Sequence, residues 1–173
     1  VVQFLLTKGQ KYRDELAEEI RSIGSKVKRC AECFRFNGSD KTLCAICSDE
    51  NRDRTVLMIV ERDVDVEAVE ASSAFKGTYF VLGGLMPMAK QKRADMVRSR
   101  ELLSKLSKDK VAEVIFALST TPEGDYTARE LIEQISTSIP TLKLTLLGRG
   151  LSVGAEIEYA DSETLRNALK NRA

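Results

Sequence analysis

Thr55-Val56-Leu57-Met58-Ile59-Val60 is a nearly unbroken apolar run, rich in β-branched residues, that ends on the carboxylate of Glu61. A strand with one face in water shows a polar residue at every second position; this one does not, so it is expected to be buried on both faces, as in a parallel sheet. Tyr79-Phe80-Val81-Leu82, Glu113-Val114-Ile115-Phe116-Ala117-Leu118 and Lys143-Leu144-Thr145-Leu146-Leu147 repeat the pattern. Between these runs lie helical patterns over residues 64–72, about 98–107, and 126–138, the last with Ala128, Leu131, Ile132 and Ile135 on one side. Strands alternating with helices specify an α/β domain, a mostly parallel sheet flanked by helices and joined by right-handed crossovers. Near the end, Ala155-Glu156-Ile157-Glu158-Tyr159-Ala160 alternates like an edge strand, and Ser162-Glu163-Thr164 is expected to cap a last helix reaching about residue 172.

All four cysteines precede the first run, as Cys30-x2-Cys33 and Cys44-x2-Cys47 with ten residues between the pairs. Two turns, each presenting two thiolates, are what one tetrahedral zinc ion requires. The chain has no histidine and every cysteine is used, so such a site has no open position for activating water and the zinc is expected to be structural. Lys28, Arg29 and Lys41 stand where they offset the charge of four thiolates, and the metal supplies folding energy that so small a module cannot draw from burial. Two disulfides or a dithiol redox site are the other uses of paired cysteines; a doubled Cys-x2-Cys in a chain that reads as cytoplasmic argues for metal. Asn37-Gly38-Ser39-Asp40 is a turn signal that predicts a short hairpin within residues 34–43. Before the cysteines, Tyr12, Leu16, Ile20, Ile23 and Val27 recur at helical spacing, as a packing face or a subunit contact. The opening Val1-Val2-Gln3-Phe4-Leu5-Leu6 reads as the tail of a helix already under way, which predicts a truncated N-terminus.

The formal net charge of +1 announces no global nucleic-acid field, but the charge is sorted along the chain. Residues 55–75 hold one basic and five acidic side chains, whereas residues 76–110 hold nine basic and three acidic ones. No apolar run is long enough to cross a bilayer and the first residues lack a secretory pattern, so a soluble, cytoplasmic protein is expected.

Ligands of open parallel sheets collect at the carboxyl ends of the strands. Three such places are acidic: Glu61 with Asp63 and Asp65; Glu123-Gly124-Asp125; and Asp161. Converging carboxylates suit Mg²⁺ and metal-assisted phosphoryl transfer. Glu123, Asp125 and Asp65 serve equally as first-turn groups that stabilise helix dipoles. With no histidine and no Ser or Cys in a nucleophile motif, conventional nucleophilic chemistry has no players.

Taken in order, these features resemble the RecR family of bacterial recombination mediators. The resemblance rests on the helix entering the two Cys-x2-Cys pairs, Ile59-Val60-Glu61 with Asp65-Val66-x-Ala68-x-Glu70, and Phe75-x-Gly77-x-Tyr79-x-Val81-Leu82-Gly83-Gly84. It continues through Thr121-x-Glu123-Gly124-x-x-Thr127-Ala128, Arg149-Gly150-Leu151-x-x-Gly154 and Glu158-Tyr159-x-Asp161-x-x-Thr164-Leu165, and so covers residues 12–173. It implies a zinc finger followed by a Toprim domain, with residues 1–29 as the remnant of a helix-hairpin-helix region, 30–54 as the finger, 55–148 as the Toprim domain, and 149–173 as a Walker-B-like segment and helix. It also implies a non-enzymatic scaffold of recombinational DNA repair in the bacterial cytoplasm, associated with the nucleoid. Such proteins form homo-oligomers, a tetrameric ring or a dimer, clamp DNA, and act with RecO-like and RecF-like partners to load recombinase on single strands.

On that basis Glu61, Asp65, Glu123 and Asp125 form an acidic face for a partner protein. Lys26, Lys28, Arg29, Arg35 and Lys41 around the finger, with Lys90, Lys92 and Arg93, are the candidate DNA contacts. A Toprim enzyme acting on nucleic-acid phosphodiesters, with Glu61, Glu123 and Asp125 as Mg²⁺ ligands, is the alternative. The sequence departs from the family where Met86 to Arg93 replace a Gly/Pro-containing turn, where Gly148 replaces alanine, and where Asp63 replaces proline.

Overall fold

The computed structural model describes residues 1–38, 41–88 and 97–170; Lys90, Lys92 and Arg93 lie outside them. β3 (Asp53–Val60) runs through the middle of a four-stranded sheet, with β4 (Gly77–Val81) on one side and β5 (Glu113–Ala117), then β6 (Lys143–Leu146), on the other. All three pairings are parallel, Met58 lying level with Tyr79 and Ile115. The α/β expectation therefore holds. The connecting helices are α4 (Asp63–Ser72), α5 (Ser99–Lys108) and α6 (Pro122–Ser138). The last begins four residues before its apolar pattern, because Thr121 accepts the amide hydrogen of Gly124 and Pro122 takes the first helical position, where a missing N–H costs nothing.

The two faces of β3 belong to different cores. Leu57 and Ile59 join Phe80, Leu82, Val114 and Phe116 under α5 and α6. Met58 and Val60 join Tyr79 and Val81, Val66 of α4, and the four cysteines. The unbroken apolar run of the sequence is thus a strand with α5 and α6 on one side and α4 with the cysteine module on the other. At the foot of that second face, the Glu70 carboxylate takes hydrogen bonds from the Arg52 guanidinium and from the Tyr79 hydroxyl (2.6 Å). Arg52 holds Glu70 below the usual carboxylate range. The Tyr79 phenol is pushed up, first by burial and then by that carboxylate.

β4 is an edge strand by pairing, yet all five of its residues are buried. Its free end is occupied: Val81 N–H donates to Cys33 O (2.8 Å), and Arg98 Nη1 donates to Val81 O (2.8 Å). An edge covered in this way offers no ladder to another chain.

The turn expected at Asn37-Gly38-Ser39-Asp40 includes residues 39 and 40, which lie outside the described residues; among the described ones, β1 (Lys28–Arg29) pairs antiparallel with β2 (Phe36–Asn37), so the first cysteine pair sits in the bend. Two expectations are corrected. The 155–160 segment is no strand, because no neighbour offers it a ladder: Tyr159 N–H turns back to Glu156 O and Ala160 N–H to Ile157 O, giving a 3₁₀ turn over Ile157–Tyr159 with both apolar side chains exposed. Among the described residues the stripe of α2 (Gln10–Lys26) is only partly covered, with Leu16 and Val27 half-buried but Tyr12, Ile20 and Ile23 42%, 59% and 54% exposed. α1 (Val2–Thr7) likewise buries no residue, and α7 (Ser162–Lys170) closes the described chain. No helix among the described residues is long and apolar enough to cross a membrane.

Candidate metal centre and acidic strand ends

The sequence separates the two cysteine pairs by ten residues; the fold closes that distance. Ala31 N–H donates to Thr42 O, Cys30 N–H to Arg35 O, and Cys44 N–H points at Cys30 Sγ (3.4 Å). All four sulfurs lie within 4.8 Å of one another and all four residues are buried. The Cys33 and Cys44 sulfurs are 3.6 Å apart, far beyond the roughly 2.05 Å of a disulfide. A zinc ion with bonds of about 2.3 Å to tetrahedral thiolates needs them about 3.8 Å apart. Without a cation so many thiols cannot ionise together. Cys44 is held low by hydrogen bonds from Cys33 and then Cys47, and in consequence Cys33 is pushed up to about 12. A dication removes that conflict, so this is a buried, closed metal site of a kind that suits zinc.

The knuckle is fixed to the sheet at several points. Besides the bond from Val81, Arg54 Nη2 donates to Cys47 O (2.9 Å), Phe36 N–H donates to Asp63 Oδ1 (2.6 Å), and Lys105 bridges Glu32 and Asp109. Asp63 is thereby explained. It is the first residue of α4, where proline suits the backbone, but an acidic side chain there meets the helix dipole and also holds β2. Phe34 adopts φ +61 directly after Cys33, a conformation uncommon for a bulky residue. Its ring is held edge-to-face against Phe80 (5.3 Å) and under Arg98.

Strand order β4-β3-β5-β6 places the crossover reversal between β3 and β5, where an open sheet leaves a crevice at its carboxyl end. Glu61 follows β3 on one side; Glu123 and Asp125 follow β5 on the other. Gly124 permits that approach, since a Cβ there would lie 1.9 Å from Ser119 O. Most of the acidic groups singled out in the sequence have structural partners. Asp65 accepts from Arg62 N–H (2.7 Å) at the start of α4. Asp125 pairs with Arg149, which also approaches Glu163 (3.9 Å) and ties the C-terminal segment to α6. Asp161, rather than Ser162, caps α7: its carboxylate accepts from the N–H and hydroxyl of Thr164, which chiefly hold it below its usual range, and from the N–H of Glu163. Glu61 has Arg62 at 3.7 Å, and Glu123 has no side-chain partner among the described residues. Among those residues the four cysteines form the one cluster of three or more potential metal ligands.

Comparison with known proteins gives a Toprim domain over residues 55–147 and a RecR C-terminal region over residues 150–173. Recombination protein RecR of Amoebophilus asiaticus is 36% identical over 172 residues, 99% of this chain and 84% of that protein. This chain belongs to the RecR family. RecR of Psychrobacter cryohalolentis is 36% identical over 98% of the chain and 84% of that protein, and RecR of Desulfatibacillum aliphaticivorans is 38% identical over 91% and 77%.

The cations singled out in the sequence do not all stand alike in this RecR-family chain. Lys26 is paired with Glu19 (2.9 Å) and Arg35 with Glu67 (3.2 Å). Lys28 and Lys41 are exposed, and Arg29 lies over the Phe36 ring with its guanidinium carbon 4.0 Å from the centroid. Sequence reasoning missed Phe34, Phe36, Lys105 and Arg98. Only Phe34 left a signal, standing directly after a Cys-x2-Cys turn where the chain must reverse.

Proposed function

We propose that this chain is a zinc-stabilised, DNA-binding scaffold of recombinational repair, working in the bacterial cytoplasm at the nucleoid rather than as an enzyme. It acts with RecO-like and RecF-like partners to load recombinase on single-stranded DNA. What carries this reading is the way the acidic groups are used: Asp65 and Asp161 cap helices and Asp125 holds Arg149. That leaves Glu61 and Glu123 as an acidic face toward a partner protein and leaves few groups to assemble a Mg²⁺ centre. The relatives' shared name, recombination protein, supports the repair role. The partly uncovered stripe of α2 and the exposed Ile157, Tyr159 and Leu169 support assembly with further copies, as a dimer or a ring.

Zinc fits the buried four-thiolate site and, when bound, supplies a fixed tetrahedral anchor. The chain's own residues do the rest: Phe36 and Val81 lock the knuckle to the sheet, and Lys28, Arg29 and Lys41 present positive charge beside it. Binding of this chain to a labelled oligonucleotide, titrated with salt, tests the proposal. Affinity is expected to fall log-linearly with salt, by about 0.7 per phosphate neutralised on a single strand. The Lys28→Glu, Lys41→Glu double variant is expected to bind more weakly with a shallower slope; binding independent of salt contradicts the assignment.

A further inference from the structure

Phe36 is 53% exposed, and no other aromatic side chain between residues 28 and 150 is more than half exposed. An isolated exposed phenylalanine means little, but this one is built into a rigid support. Its N–H is held by Asp63, its strand pairs with Arg29, and Arg29, fixed by a hydrogen bond to Phe34 O (3.0 Å), lies against its ring. The surroundings are cationic. Arg98, over the ring of Phe34 (5.3 Å), is close enough for Arg29 to oppose its protonation, after burial as the larger cause, whereas Lys28, level with Asn37, stands on the other face of the hairpin. Of the carboxylates on this side, Asp63 accepts the Phe36 amide and Glu67 pairs with Arg35, while Glu101 and Asp63 partly offset the charge of Arg98.

We propose that this face of the knuckle hairpin receives an unpaired nucleobase, with Phe36 as the stacking platform and Arg29 and Arg98 facing the neighbouring phosphate. The inference deepens the DNA-binding reading above and rests on it. An apolar protein pocket closing over Phe36 must desolvate the Arg29 guanidinium without compensation, whereas a single-stranded nucleotide offers a π face to the ring and an anion to the arginines in one ligand. A paired base, enclosed in its stack, cannot reach the ring. The site therefore distinguishes single strands from duplexes without reading sequence.

The test compares the wild-type chain, Phe36→Ala, Phe36→Leu and Phe36→Tyr on an oligothymidine strand and on a duplex of equal length, with solution mass, metal content and thermal midpoint recorded for each. Phe36→Ala and Phe36→Leu are expected to weaken single-strand binding about tenfold, the effect of losing one stacked base, with duplex affinity and the salt slope unchanged; Phe36→Tyr is expected to restore it. A strand carrying 2-aminopurine should lose its fluorescence quenching in the same two variants. Equal losses on strand and duplex, or no loss on either while wild-type binding stays salt-dependent, overturn the stacking site and leave the DNA-binding reading standing. A change in solution mass with unchanged strand affinity assigns the face to another copy of the chain and also overturns it. Absence of any DNA binding by the wild type overturns both.

Discussion

Removing the metal, or replacing Cys47 with serine, is expected to unfold far more than the knuckle. The cysteines share one apolar cluster with Met58, Val60, Val66, Tyr79 and Val81, so the module is the lid on one face of the sheet rather than an appendage. Structural zinc contributes about 10–16 kcal/mol in isolated finger peptides, comparable to the whole stability of a typical domain, about 5–15 kcal/mol. Even a loss of about 5 kcal/mol lowers the midpoint of a chain this size by about 10–20 °C. Chelation followed by thermal unfolding, read by near- and far-ultraviolet circular dichroism, should show both signals falling together and early. A far-ultraviolet transition that keeps its midpoint while metal is lost would mean that the sheet folds without its lid.

Phe80→Ala is the second large effect. Phe80 is fully buried in β4, packs into the core under α5 and α6, and meets the Phe34 ring of the knuckle edge-on. Truncating a buried phenylalanine costs about 3–5 kcal/mol, transfer and cavity together. Urea denaturation should show that loss as a lowered midpoint with little change in slope. Paired with Phe34→Ala, the double-variant cycle should return a coupling of about 0.5–1.5 kcal/mol. A loss under about 1 kcal/mol would show that the site refills and that Phe34 does not lean on this ring.

These contacts also mark the boundary of what the sequence discloses. The strand over residues 55–60 and the clustering of the four cysteines were legible because each depends on composition and spacing within a short window. So was α6, apart from its first turn, which Thr121, Pro122 and the close approach of Gly124 to Ser119 O add to the apolar pattern. Residues 155–160 misled because alternation of polar and apolar side chains reports a strand only where another strand supplies hydrogen bonds. The α2 stripe misled for a related reason: periodicity says that a face wants cover, not that the same chain provides it. The hairpin register, the role of Asp63 and the place of Arg98 depend on partners up to dozens of residues away, which no local pattern encodes. For Asp65, Glu123 and Asp125 the sequence leaves the choice between metal ligand and helix-terminal group open; Asp65 caps α4, and Asp161, for which no such role is legible, caps α7.

The most direct single measurement is the fate of intact single-stranded and supercoiled DNA incubated with the wild-type chain and with Glu61→Gln in Mg²⁺, resolved on denaturing gels. A scaffold whose Glu61 and Glu123 face a protein partner leaves both substrates intact with either chain. Strand breaks that require Mg²⁺, appear with the wild type and vanish with Glu61→Gln would contradict it and make the strand-end carboxylates a catalytic centre.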